Sequence, residues 1–167
     1  MPPRNHKQWS SAPRIEAISS RAYNNYEVYK QEQELIFSKV WVPMCHISEM
    51  YDTGEFRTTQ IAGVNVIAVN DYNGVRAFRD HPIQQVSGCL SCPYEGNEIH
   101  CEVKHGGMVW VTLDPNPTQS VEEWTAGAFD CIADAIDTEE LEVFHYHKAV
   151  IDTNYKLWHD TNSEFYH

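Results

Sequence analysis

The chain has 167 residues, 42 % of them apolar and 22 % charged, with 12 basic and 24 acidic side chains and a formal net charge of −12. This composition fits a globular chain with little more than one domain and excludes a disordered one. The acidic excess disfavours docking on nucleic-acid phosphates or an anionic membrane surface.

The longest apolar stretch, Ile61 to Val69, is broken by Gly63 and Asn65, so no spanning helix is expected. Residues 1–20 carry no apolar signal segment. Five cysteines without such a segment point to a reducing compartment, read as cytoplasmic, and to thiols or metal ligands over disulfides. Charge is uneven: residues 1–40 hold six basic and four acidic groups, whereas His105 to His147 hold nine acidic groups and no Lys or Arg. That acidic stretch either receives a basic partner or only keeps the chain in solution.

Residues 1–20, with Pro2, Pro3 and Pro13, read as an extended arm. A helix is predicted over 25–40 from the spacing of Tyr26, Tyr29, Ile36, Phe37 and Val40, ending at Trp41-Val42-Pro43. Cys45 and His46 are placed in a strand, and His46 has no evident partner. Strands are predicted at 55–61, 64–70 and 75–79, joined by turns at Ala62-Gly63 and Asp71-Tyr72-Asn73-Gly74. Residues 80–97 read as a loop, and strands at 98–103 and 108–113 flank Gly106-Gly107. Ser120 with Glu123 is a capping box opening a helix that buries Val121, Trp124, Phe129, Ile132 and Ile136. Residues 141–151 alternate as a strand does, placing His145 and His147 on one face. Residues 154–167 read as a helix using Leu157, Thr161, Glu164 and Phe165. This helix stops in mid-pattern at His167, so a fragment is expected. Tyr26, Tyr29, Trp41, Trp110, Trp124 and Trp158 are expected in the core. The expected class is α+β, mostly antiparallel β.

The order of these pieces carries a resemblance. Glu34, Ile36-Phe37 and Trp41 follow the arm-helix pattern of the large (alpha) subunits of Rieske non-haem iron oxygenases, with a small shift. Glu49 with Gly54 and Phe56 is similar to the family's approach to its first strands. Asp71, Gly74 and Ala77-Phe78 resemble its D-x-x-G-x-x-[RK]-A-F turn. GGMVWVTLDPNP, Gly106 to Pro117, is similar to the strand and connection closing the family's Rieske domain. Asn154-Tyr155-Lys156-Leu157 through His167 resembles the segment that opens its catalytic domain. Within the family, CEVKHGG and HDTNSEFYH resemble large subunits of the methanesulfonate type.

The resemblance implies an arm and helix at 1–39, a Rieske-like domain at 40–150, shortened in its cluster loops, and the start of a helix-grip catalytic domain at 151–167. It implies a [2Fe-2S] cluster held by C-x-H and C-x-x-H pairs, passing electrons to a mononuclear Fe(II) that activates O₂ for hydroxylation. It also implies a homo-oligomer, a trimer, with or without a small beta subunit, and a ferredoxin or reductase as electron donor.

The implied ligands are poorly kept. Pro82 and Gln84 stand where the first Cys and His belong. The second pair reads Cys92-Pro93-Tyr94-Glu95-Gly96-Asn97, so Cys92 matches and Glu95 replaces the His. His167 matches the first His of the two-His, one-carboxylate triad, and Glu164 matches the acidic residue that bridges to the cluster of a neighbouring subunit. The expectation is a chain not catalytic by itself.

Two alternatives stay open. One is a metal-free binding or assembly module of the same fold. The other is a zinc site using Cys89, Cys92, His100 and His105, spaced C-x2-C-x7-H-x4-H with Cys101 adjacent. Free thiols and surface imidazoles are the plain reading of the same residues.

Overall fold

The computed structural model describes residues 19–80, 97–129 and 141–163. Its elements are α1 (Arg21–Asn24), α2 (Tyr26–Glu32) running into a π turn (Gln33–Phe37), β1 (Val42–His46), a 3₁₀ turn (Ile47–Met50), β2 (Phe56–Ile61), β3 (Val64–Asp71), β4 (Gly74–Arg79), β5 (Glu98–Lys104), β6 (Met108–Thr112), α3 (Val121–Thr125) and α4 (Tyr155–Ser163). They fall into two compact units: Tyr29–Val150, and Met1–Val28 with Ile151–His167.

The larger unit is built on one antiparallel sheet in the order β1-β6-β5-β4-β3-β2. The meander from β2 to β6 follows from short turns between β-branched runs. Ile61 pairs with Val64 across Ala62 (φ 48°) and Gly63 (φ 76°), the left-handed pair that suits a two-residue hairpin. Asp71 pairs with Gly74, so the next loop is Tyr72-Asn73 and only Gly74 takes positive φ, at 106°. The Asp71 carboxylate accepts from Asn73 N at 2.6 Å and shapes this turn in place of a left-handed asparagine. Pro43 is tolerated because β1 is an edge strand, with a register shift between Pro43 and Cys45.

Period-two alternation divides the core. On β3, Val66 and Ala68 join Cys45, Met50, Ile61, Ala77, Val109, Val111 and Leu113, while Ile67 and Val69 turn to Phe78 and Phe56. A third cluster joins Trp41, Trp110 and Val121 with Met108 and Phe129. Trp41 Nε1 donates to the Gln119 carbonyl at 2.9 Å, which ties down the connection into α3. The capping box is present: Ser120 Oγ accepts from Glu123 N, and the Glu123 carboxylate accepts from Ser120 N at 2.9 Å.

Several expectations change. The helix over 25–40 is α-helical only to Glu32; Ser38 N then donates to Gln33 O at 3.0 Å, an i→i−5 bond, and the Ser38 hydroxyl donates to Glu34 O. Helix α3 is short because Ala126 turns left-handed (φ 48°), leaving Trp124 exposed while Val121 is buried. Ile132 and Ile136 lie outside the described residues. Residues 141–150 form no ladder and are exposed throughout, because alternation makes a strand only where another edge accepts its hydrogen bonds. Tyr26, Tyr29 and Trp158, expected in the core, are exposed, whereas Trp41 and Trp110 are buried as expected.

In the smaller unit, α1 and α4 are linked through side chains. Tyr23 Oη donates to Asp160 Oδ2 at 2.8 Å, Asn154 Nδ2 donates to the Tyr23 carbonyl, and Asn154 Oδ1 accepts from Lys156 N at 2.9 Å as an N-cap of α4.

Candidate functional site

The loop expected to carry metal chemistry leaves the sheet at β4 and returns at β5. Arg79 N donates to the Asn97 carbonyl at 2.9 Å, and Asp80 N, from a left-handed residue (φ 58°), donates to Asn65 O at 2.9 Å. These bonds make a stem that brings the two ends of the loop together. Cys89, Cys92, Pro82, Gln84 and Glu95 lie outside the described residues, as do Glu164 and His167.

Below the stem, Arg76 forks onto Glu98, with Nε–Oε1 at 2.8 Å and Nη2–Oε2 at 2.7 Å, and reaches Asp71 at 3.3 Å. Its guanidinium lies over the Phe78 ring at 5.0 Å. The Arg76 hydrogen bonds hold the Glu98 carboxyl below its ordinary range. A cleft of about 640 Å³ opens beside this fork, lined by Arg76, Arg79, Glu98, His100, Asp114 and Pro115 among others. Its charges are satisfied: Arg79 faces Asp80 at 3.4 Å, and Asp114 faces Lys39 at 3.7 Å. Among the described residues that line it, the cleft therefore offers no cation or acid without a charged partner.

Of the zinc set, the two described members, His100 and His105, are not brought together. His100 and Cys101 point to opposite faces of β5. The His100 ring is against the Pro115 carbonyl at 3.2 Å, while Cys101 packs on the core beside Val111. His105 sits one residue beyond the far end of β5, about 16 Å along the strand from His100 at ~3.3 Å per residue. It stacks on Phe129 at 4.1 Å and meets the Trp110 edge at 6.0 Å. Burial pushes both Cys45 and Cys101 up to about 12, with Glu49 adding to the first and Glu102 to the second. Such thiols stay protonated and are core residues, not ligands. Among the described residues, no group of three or more His, Cys, Asp or Glu is placed to hold a metal ion. His145 and His147 are exposed.

One histidine that the sequence left without a role is structurally engaged. His46 is buried, with Nε2 at 2.6 Å from the Gly106 carbonyl and Nδ1 at 2.8 Å from Ser48 Oγ, and Ser48 N at 3.2 Å from Nδ1. Because Gly106 O can only accept, Nε2 carries the proton and Nδ1 accepts. Glu49 Oε1 accepts from His46 N at 2.8 Å, completing a capping box on the 3₁₀ turn. The signal was H-x-S-E, a capping pattern with His as cap.

Among the described residues, Cys45, Cys101, His46, His100 and His105 do not come together as a set of two thiolates and two imidazoles. Among the described residues, nothing is placed to hold a Rieske cluster.

Comparison with known proteins follows the same lines. No family model matches the chain. It is 40 % identical to the methanesulfonate monooxygenase hydroxylase subunit alpha of Methylosulfonomonas methylovora over 220 residues, covering 100 % of this chain and 53 % of that one. It is 27 % identical to the 2-aminobenzenesulfonate 2,3-dioxygenase subunit alpha of Alcaligenes sp, covering 90 % and 48 %. The chain thus spans about half the length of these relatives. A match 220 residues long against a chain of 167 also means that the relative carries residues inside the matched span that this chain lacks.

Among solved structures, naphthalene 1,2-dioxygenase from Rhodococcus sp. bound to indole superposes with a TM-score of 0.70 at 21 % identity, covering 86 % of this chain and 42 % of that one. A quaternary ammonium Rieske monooxygenase superposes with a TM-score of 0.58 at 21 % identity, covering 70 % and 42 %. These two likenesses establish the fold: an antiparallel β-rich domain of the Rieske oxygenase kind.

Proposed function

Because the chain belongs to the family of Rieske oxygenase alpha subunits, we propose that it is the N-terminal part of a hydroxylase subunit, with a Rieske-like domain at 40–150 and the start of the catalytic domain at 151–167. The observation that carries this reading is the 40 % identity extending over the whole chain. In the family's scheme Cys92 is the retained cluster-ligand position, with Cys89 beside it, His167 is a ligand of the mononuclear iron, and Glu164 is the acidic bridge between the two centres. A hydroxylase that passes electrons from a [2Fe-2S] cluster to Fe(II) needs two Cys and two His at the cluster, and in this reading Cys92 alone is kept. This chain, with its donor set short of four, does not perform that reaction by itself.

The two relatives named above are both named for a sulfonate, so an organosulfonate is the substrate class we assign to the whole subunit. A homo-oligomeric assembly and a ferredoxin or reductase donor belong to the same reading. Among the described residues no helix is long and apolar enough to cross a membrane.

The shortened donor set also favours a second reading, a metal-free module that keeps the Rieske-like fold for assembly. Iron, zinc and acid-labile sulfide are to be measured on the purified chain, with its visible spectrum. The expected result is no stoichiometric metal and no sulfide. Two irons with two sulfides and a visible band would restore a working cluster and overturn the inactive reading. One zinc per chain would overturn both readings of the metal-binding loop.

A further inference from the structure

Asn73-Gly74, the dipeptide that marks the β3–β4 hairpin in the sequence, carries a reactive group that the turn does not use. The two-residue loop is Tyr72-Asn73, closed by the Asp71–Gly74 pair. The backbone N–H of Asn73 donates to Asp71 Oδ1 at 2.6 Å, whereas its side-chain amide has no hydrogen-bond partner among the described residues. Gly74 sits at φ +106°, with nothing within 4 Å of where a Cβ would stand, so the approach to its nitrogen is uncrowded from that side.

The other described asparagines each lack one of these features. Asn25, Asn65, Asn70, Asn154 and Asn162 hold their side chains in hydrogen bonds. Asn24 and Asn97 are followed by Asn25 and Glu98, whose side chains crowd the next nitrogen, and Asn116 by Pro117, which has no N–H.

We propose that Asn73 is a site of spontaneous covalent modification, in which the Gly74 backbone nitrogen attacks Asn73 Cγ. The N–Cγ bond forms as the Cγ–Nδ2 bond breaks; the Gly74 nitrogen gives its proton to base, and Nδ2 leaves as ammonia. Water then opens the cyclic imide at one of its two carbonyls. Opening at Cγ leaves aspartate, and opening at the main-chain carbonyl leaves isoaspartate, with the backbone running through Cβ and Cγ. The sum is an amide and water giving a carboxylic acid and ammonia, with nothing oxidised or reduced. Every atom of the protein used lies inside one hairpin whose arms pair from Val66–Arg79 to Asp71–Gly74, so the step needs no chain beyond it. Asp71–Gly74 is the last pair of that ladder, and terminal pairs open locally at little cost, which frees the nitrogen.

The product sets a second carboxylate beside Asp71, which shapes the turn and reaches Arg76 at 3.3 Å. Isoaspartate also adds a backbone carbon to a loop whose geometry is fixed by its length. The hairpin thus records age: a form with one more negative charge and a loosened turn accumulates with time.

The test is incubation of the whole folded chain at 37 °C, at pH 6 and at pH 8, followed by peptide mapping with fragmentation that separates aspartate from isoaspartate. Asn73 is expected to convert about tenfold faster than Asn24, whose side chain is also unpartnered. Conversion is expected to be faster at pH 8, because the attacking nitrogen must lose its proton, and to give both products. Asn73→Gln, which would have to close a larger ring, stays unconverted. The amides of Tyr72–Val75 exchange faster in the aged chain than in the fresh one. Asn73 left intact in the folded chain while it converts in urea, aspartate formed without isoaspartate, conversion no faster than at Asn24, or an aged hairpin that exchanges like the fresh one would each overturn the proposal.

Discussion

A Cβ on Gly107 would lie 2.7 Å from Nε2 of His46, so the β5–β6 turn passes this buried imidazole only as glycine. The same residue sits at φ +96°, in the left-handed region that costs an L side chain roughly 1–2 kcal/mol. Gly107→Ala therefore carries strain and collision together, and a loss of about 3 kcal/mol in urea unfolding is expected. The two parts can be separated. His46→Ala removes the colliding ring at its own cost of about 2–4 kcal/mol, since Gly106 O and Ser48 N lose their partner. In that background Gly107→Ala retains the backbone strain and the close approach to Ile47 Cγ2 at 2.9 Å, but not the collision with the ring. The double mutant then costs less than the sum of the singles; strict additivity would remove His46 as the reason for the glycine.

This pair also marks what could be read from sequence and what could not. The strand runs were legible because β2 through β6 alternate and are punctuated by Gly63, Gly74 and Gly106-Gly107. The capping box at Ser120 was legible because capping is local. The burial of His46 was not, because H-x-S-E signals only its local cap, and its other partner, Gly106 O, is sixty positions away. Trp158 on α4 is expected in the core from residue type alone, yet it is exposed. For the site, the mismatch of the ligand motif was visible at Pro82, Gln84 and Glu95. The scatter of His100, Cys101 and His105 was only half visible: alternation separates the first two, but the stacking of His105 on Phe129 is a tertiary fact.

Cys45 and Cys101 flank β6 on one face of the sheet, opposite Val109 and Val111. Their thiols are raised to about 12, chiefly by burial. At pH 8 each is thiolate only about once in 10⁴ molecules, and alkylation requires that form. Peptide mapping after iodoacetamide at pH 8 is expected to find both unmodified in the native chain and modified within minutes in urea. A folded-state value above the unfolded value of 9.0 means that the native state keeps a proton the unfolded chain releases. Stability from this source is complete below pH 9 and is lost as pH rises toward 12. Replacing both by Ala removes that alkaline slope.

Glu98 behaves in the opposite sense. Its carboxyl is held below 4.5, first by the hydrogen bonds from Arg76. The stability it contributes is present above the unfolded value and is lost as pH falls through the lower folded value. The side chains are 37 % and 49 % exposed, so solvent screening keeps the effect small. Glu98→Gln is expected to cost no more than about 1 kcal/mol at pH 7, and to flatten the acid limb of the stability profile. A cost unchanged between pH 7 and pH 3 would show that the pair contributes through packing over Phe78 and not through charge.

Asn154 has two duties that different substitutions divide. Its Oδ1 accepts from Lys156 N as the cap of α4, and its Nδ2 donates to the Tyr23 carbonyl in α1. Asn154→Asp keeps the acceptor, adds a charge favourable at a helix N-terminus, and removes the donor. Asn154→Ala removes both and is expected to cost about 1–2 kcal/mol of the stability of α4. Hydrogen exchange of the amides of Tyr155–Ser163 reads the difference. If capping dominates, the Asp variant exchanges like the wild type while the Ala variant exchanges faster. If the link to α1 dominates, both exchange faster. Tyr23→Phe, which deletes only the hydroxyl bond to Asp160, then resembles the Asp variant. The cap contact at the start of α4 joins residues two positions apart, whereas the Tyr23 carbonyl must first be brought from 131 positions away. Capping is therefore the expected outcome, with Asn154→Ala the only variant of the three to speed exchange by about tenfold.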